Sequence, residues 1–186
     1  MRKWSSFWLV VLLLLVSAVA NAGTREVQGS TSGRYYNDVW KSWSEKPISV
    51  YIDDEGNTYI KGGEGLIFAR GFLYASERTK MIELLKKGLK WSAIAKKEKL
   101  EITKKLGSFM KSGSFKKYGV DLTFFAANKG HQTDVILHMI DFDNMFYEIT
   151  LYLNPTQVKG LIKLLEKVPQ TLKELKKYEK KSKMLE

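Results

Sequence analysis

Two histidines and three carboxylates lie close together at His131, Asp134, His138, Asp141 and Asp143. These side chains can ligate metal ions or move protons. Their spacing does not suit one ion. Thr133 to Phe142 reads as a strand advancing about 3.3 Å per residue, which sets Asp134 and His138 about 13 Å apart on one face. Metal bonds to nitrogen or oxygen are about 2 Å long. A site would need ligands from another strand, so both histidines are expected to be structural and no metal or cofactor is assigned. The chain has 0 Cys, which removes thiolate chemistry. It contains no G-x-S-x-G, no H-E-x-x-H and no Ser-x-x-Lys with its companion motifs, and Ser92-Ala-Ile-Ala-Lys96 is one residue too long. Asp53, Asp54 and Glu55 lack the spacing of a calcium loop, and Gly62, Gly63 and Gly65 are not followed by G-K-[ST]. Carboxylate pairs of the glycosidase kind assemble in space and leave no sequence mark. A secreted hydrolase with an unrecognised carboxylate or histidine site therefore stays open as the alternative reading.

Two other groups suit binding. Ser76 to Tyr118 carries thirteen basic and four acidic residues, chiefly lysines. Lys86, Lys87, Lys90, Lys96, Lys97, Lys104 and Lys105 are the candidate contacts for an anion or a partner. Arginine is the better residue for bidentate phosphate recognition, and only Arg25, Arg34, Arg70 and Arg78 follow Arg2. Nucleic acid is accordingly disfavoured, and a solvated lysine face is the plainer use of this charge. Tyr36, Val39, Trp40 and Trp43 fall at i, i+3, i+4 and i+7, the face of a short helix. Tyr36, Trp40 and Trp43 form a candidate aromatic contact, either docked on the core or exposed as a stacking platform for a sugar or planar ligand.

The elements that must position these residues follow from periodicity. Ile48–Asp53 and Thr58–Lys61 flank Asp54-Glu55-Gly56-Asn57 as a hairpin, with Leu66–Tyr74 a further strand. Ser76 is placed as N-cap of a helix over about 77–96 whose stripe is Met81, Ile82, Leu85 and Leu89. Gly88 inside it costs about 1 kcal/mol relative to alanine and implies a close packing contact. Four strands follow: Leu100–Leu106, Tyr118–Phe124, Val135–Met139 and Met145–Leu153. Asn154-Pro155-Thr156-Gln157 opens a last helix with a capping box. The expected class is α+β: an antiparallel β-meander packed by amphipathic helices, divisible into two strands-then-helix halves. In outline that arrangement is similar to purine-rich-element-binding repeats and Whirly proteins, a likeness of fold only, without a shared motif.

With 186 residues, 44% hydrophobic and 27% charged, the chain has the composition of a folded domain rather than a disordered one. Arg2 and Lys3, the apolar run Phe7–Val16 and Ala20-Asn21-Ala22 make up a secretory signal peptide with an A-x-A cleavage site. The run is short for a membrane span of about 20 residues, so no transmembrane anchor is expected after processing. The expected organisation is a signal peptide at 1–22, a flexible aromatic-containing leader at 23–46, one α+β domain at 47–178 with halves 47–97 and 98–178, and a basic tail at 179–186. Removal of Arg2 and Lys3 lowers the formal charge of +11 by two. The expected protein is exported, periplasmic in the first instance and otherwise secreted. It is expected to be a non-enzymatic binding or accessory protein contacting a partner protein or an anionic envelope lipid or polymer. The expected contact surface is the meander face bearing Phe146, Glu148, Thr150 and Tyr152, together with the lysines.

Overall fold

The computed structural model describes residues 24–112, 117–141 and 147–182. The expected export segment Met1–Ala22, Asp143, Phe146 and the last residues of the basic tail lie outside them. The strands are β1 (Thr24–Glu26), β2 (Thr31–Asn37), β3 (Ser42–Asp53), β4 (Thr58–Glu64), β5 (Ile67–Leu73), β6 (Ile102–Ser108), β7 (Lys111–Ser112), β8 (Lys117–Ala127), β9 (Gln132–Ile140) and β10 (Glu148–Leu153). Helix α1 is Arg78–Glu98 and helix α2 is Pro155–Ser182.

All strand pairs are antiparallel, and the order is β5-β4-β3-β2-β10-β9-β8-β6, with β1 beside β3 and β7 beside β8. Alternation explains which face is buried. In β3, Ile48, Val50 and Ile52 are fully buried while Ser49, Tyr51 and Asp53 keep partial exposure. Leu122 and Phe124 of β8, Val135, Leu137 and Met139 of β9, and Ile149, Leu151 and Leu153 of β10 join the same core. Burying each such side chain contributes about 1.5–3 kcal/mol.

The sheet curls until its far strands meet face to face. A Cβ on Gly71 of β5 would collide with Val120 Cγ2 of β8 and lie 3.1 Å from Met139 Cγ of β9. β5 and β8 are not hydrogen-bonded neighbours, so only curvature brings them together. Gly62 of β4 and Gly71 of β5 make room for the larger side chains of Val120, Met139 and Leu151 opposite them. The expected fold class is corrected here: the structure is mainly β, with 48% strand and 33% helix, and forms a curled half-barrel with two helices rather than a helix-packed α+β meander. The last four long strands do not stand as a separate meander, because β10 pairs with β2 and continues the sheet into the N-terminal strands.

Both helices fill the concave side. Met81, Leu85, Gly88 and Ala95 form the buried face of α1. The close contact expected at Gly88 is with β9 and β6: a Cβ there would sit 2.7 Å from Val135 Cγ2 and 3.3 Å from Leu106 Cδ1. Ser76 is not the N-cap. It lies in a 3-10 turn, Ala75–Glu77, where the Glu77 carboxylate instead accepts the Tyr74 backbone N–H at 3.0 Å. α2 begins as its sequence predicts: Asn154 Oδ1 accepts the N–H groups of Thr156 (2.9 Å) and Gln157 (3.0 Å), and Gln157 Oε1 accepts the Asn154 N–H (2.9 Å). Pro169 lies within this helix, which runs on to Ser182.

The expected leader is also corrected. Residues 24–46 form β1, β2 and the start of β3, and the expected short helix at Tyr36–Trp43 is a hairpin. Tyr36 and Trp43 are cross-strand partners, while Asp38 to Lys41 make the turn. A tight hairpin places residues i and i+7 opposite each other, so it imitates a helical stripe at these four positions.

Candidate interaction surfaces

The fold divides the seven candidate lysines. Lys87 of α1 and Lys104 of β6 converge on one indole, their Nζ atoms 4.8 and 5.3 Å from the Trp91 ring centroid. Cation–π contacts at exposed sites contribute about 0.5–1 kcal/mol each. Beside them is an apolar notch of about 220 Å³ lined by Trp91, Ile94, Ala95, Leu100, Ile102, Lys104 and Phe124. Local chemistry builds it. Lys99 ends α1 in the left-handed region (φ 53°), and the Leu100 N–H returns to the Ala95 carbonyl at 2.9 Å. That reversal sets Leu100 and Ile102 near Ile94, and all three remain 41–42% exposed.

The other lysines are directed elsewhere. Lys86 pairs with Glu166 of α2 at 2.8 Å, Lys97 with Glu98 at 3.4 Å, and Lys105 with Asp121 at 3.2 Å. Such exposed pairs contribute about 0–1 kcal/mol and exchange readily. Lys90 is exposed on α1. Lys96 lines a different cleft, of about 660 Å³, with Arg34, His131, Asp134 and Lys159.

The outer face of the sheet carries the aromatics. Trp43 lies 5.1 Å from Tyr36 and 5.1 Å from Tyr152, with the Arg34 guanidinium 5.2 Å from its ring. Trp40 belongs to the turn, not to this cluster: it and Val39 are 78% and 82% exposed, and their N–H groups donate to Asn37 Oδ1 at 3.0 and 2.9 Å. The cross-strand registers put this turn at the end of the sheet opposite the notch, since Asn37 lies toward Ile149 and Ile102 toward Leu153. Glu148, Thr150 and Tyr152 do lie on the uncovered side of β10, as expected for a contact face.

A second outer-face feature was not singled out from the sequence. Thr24, Glu26, Tyr51, Tyr59, Lys61, Phe68 and Arg70 line a trough of about 550 Å³. Their shared property is the outward parity of β1, β3, β4 and β5, a signal legible only once register is known. Partial burial, reinforced by the neighbouring Glu26 carboxylate, raises the pKa of Tyr51 above the ordinary phenol value.

The histidine and carboxylate group is dispersed. Buried Asp134 accepts Arg34 Nη2 at 2.7 Å and Gln132 Nε2 at 3.3 Å. Fully buried Asp141 accepts the Arg70 backbone N–H at 3.1 Å, with Arg70 Nε 3.6 Å away. His138 Nδ1 lies 3.0 Å from Thr150 Oγ1. Among the described residues the trough is lined by one carboxylate, Glu26, and the larger cleft by one, Asp134, where a glycosidase mechanism uses a pair. Among the described residues no group of three His, Cys, Asp or Glu side chains is placed to hold a metal ion. Among the same residues no helix is long and apolar enough to cross a membrane.

No family model and no curated protein matches the chain. Among solved structures, a chain of SsgB, described in connection with longitudinal cell division during sporulation of Streptomyces coelicolor, is similar at 11% identity and a TM-score of 0.39. The match covers 82% of this chain and 92% of that one. Likeness at that level assigns neither a fold nor a function to this protein.

Proposed function

We propose that this chain is an exported, non-enzymatic accessory protein that docks onto an anionic envelope component through the notch at the end of α1. Export rests on Met1–Ala22, whose basic start, apolar run and A-x-A site have the order of a cleaved secretory signal. The observation that carries the docking surface is the convergence of Lys87 and Lys104, from two different elements, on Trp91 at the mouth of an apolar notch. Cations alone would suit any polyanion. Cations on a half-buried indole beside exposed Ile94, Leu100 and Ile102 suit an amphiphile whose head group is anionic and whose tail is apolar. Outside the cytoplasm, anionic lipid and lipopolysaccharide present that chemistry. A lysine near an anionic membrane surface contributes about 1 kcal/mol, so Lys87 and Lys104 together favour an anionic surface over a neutral one by roughly thirtyfold.

The test is co-sedimentation of the protein lacking residues 1–22 with vesicles of phosphatidylglycerol and phosphatidylcholine, and with phosphatidylcholine alone. Binding should require the anionic lipid and fall steeply as salt rises from about 0.01 M to 0.15 M, as screening shortens the reach of exposed charges. The K87E/K104E variant should lose at least tenfold in affinity. Equal binding to both vesicle types, or no effect of the double substitution, would contradict the proposal.

A further inference from the structure

The trough on the outer face calls for a ligand of different chemistry. Its residues stand in two rows across the sheet. Glu26, Tyr51 and Tyr59 are consecutive cross-strand partners on β1, β3 and β4, and Lys61 and Arg70 are partners on β4 and β5 in the next row. Strand spacing of about 4.8 Å and a two-residue step of nearly 7 Å separate the Glu26 and Lys61 backbones by about 12 Å. Tyrosine rings fill the interval. Lys61 rests over the Phe68 ring at 5.4 Å and pairs with no carboxylate among the described residues. Glu26 is the cross-strand partner of Tyr51, and its carboxylate helps to raise the Tyr51 pKa.

A ligand for this trough must supply donors at one end and a negative charge at the other, with flat apolar faces between. A nucleotide or lipid head group that is anionic throughout would meet Glu26 unfavourably. An extended peptide gains its affinity from backbone pairing at a sheet edge. The floor of the trough, β3 and β4, is paired on both sides, and on the edge strand β5 the Arg70 N–H already donates to Asp141. The floor offers side chains alone, and that favours a ligand dense in hydroxyls.

We propose that the trough binds an acidic saccharide, with sugar rings over Tyr51 and Tyr59, hydroxyls donating to Glu26, and a carboxylate at Lys61 beside Arg70. The ring faces supply apolar contact and the two charged ends set direction and specificity. This site is separate from the lysine-rimmed notch and shares no residue with it.

Calorimetric or NMR titration tests it with three acidic probes: trigalacturonate, a glucuronate-containing trisaccharide, and the disaccharide of N-acetylglucosamine and N-acetylmuramic acid. Cellotriose serves as the neutral control and triglutamate as the acidic peptide control. At least one acidic saccharide should bind, K61E should weaken it at least tenfold, and E26Q should weaken it severalfold. The notch variant K87E/K104E should bind it unchanged, which separates this site from the docking surface. Both trough substitutions fall on partly exposed outward positions, and an unaltered unfolding midpoint confirms that each variant is folded. Failure of all three acidic probes, equal binding of cellotriose or triglutamate, or full affinity in folded K61E would overturn the assignment.

Discussion

Substituting Gly71 by alanine tests whether the sheet curls as described. The backbone of Gly71 does not have positive φ, so alanine suits the strand locally and gains about 0.5–1 kcal/mol over glycine in a strand interior. Its methyl would collide with Val120 Cγ2 and press on Met139 Cγ at 3.1 Å, and overpacking of this kind costs about 1–3 kcal/mol. The expected net loss is about 1 kcal/mol. Val120→Ala alone removes two fully buried methyl groups and costs about 2 kcal/mol through lost burial and the cavity left behind. In the double variant the new methyl occupies part of that cavity, so its loss should fall short of the sum by about 1 kcal/mol. Met139 limits the rescue. Urea unfolding of the four proteins, with slopes compared as well as midpoints, measures the coupling. Additivity within about 0.5 kcal/mol would refute the curl, since in a flatter sheet β5 and β8 would be separated by the intervening strands.

Other expectations follow from single contacts. Arg34→Ala leaves the Asp134 carboxylate buried with only the longer Gln132 bond, and should cost about 3 kcal/mol, the low end for a broken buried pair because Arg34 is itself one-third exposed. A loss below about 1 kcal/mol in equilibrium unfolding would show that the pair is not buried in this way. Asn154→Ala removes the acceptor for two N–H groups at the start of α2 and should cost about 1 kcal/mol, against no change if the helix start is held by packing alone. Tyr51 should ionise above the ordinary phenol value because burial, and then Glu26, favour the neutral form. The stability this contributes is fully present below about pH 10 and is lost as pH rises through the folded value. The phenolate absorbance difference between the protein and Y51F should show this, and E26Q should move the transition down; a Tyr51 transition at or below the ordinary value would contradict it.

Much of the chain was legible because burial follows period. The β3–β4 hairpin and the outward and inward positions of β8 and β9 all follow from alternation, and the start of α2 follows from Asn154, Pro155 and Gln157. The leader was not, because the i, i+7 spacing of Tyr36 and Trp43 is common to a helix face and a hairpin pair. Class was misjudged for a related reason. Strand patterns are local, but the β2–β10 pairing joins residues more than a hundred positions apart, and nothing in either segment names the other. The lysines illustrate the same limit. Their charge was plain, yet only the reversal at Lys99 and the placement of β6 decide that Lys87 and Lys104 meet on Trp91 while Lys96 opens into another cleft. The trough was missed because Glu26, Tyr51, Lys61 and Arg70 come from four strands and form no sequence motif.

The docking proposal is tested most directly by asking which indole meets lipid. Trp91 lies in the notch, whereas Trp40 lies in the turn at the other end of the sheet. Fluorescence should be quenched on binding to anionic vesicles containing brominated acyl chains, and the quenching should be largely abolished in W91F while W40F retains it. Quenching that survives W91F and disappears in W40F would place the contact at the turn and contradict the account.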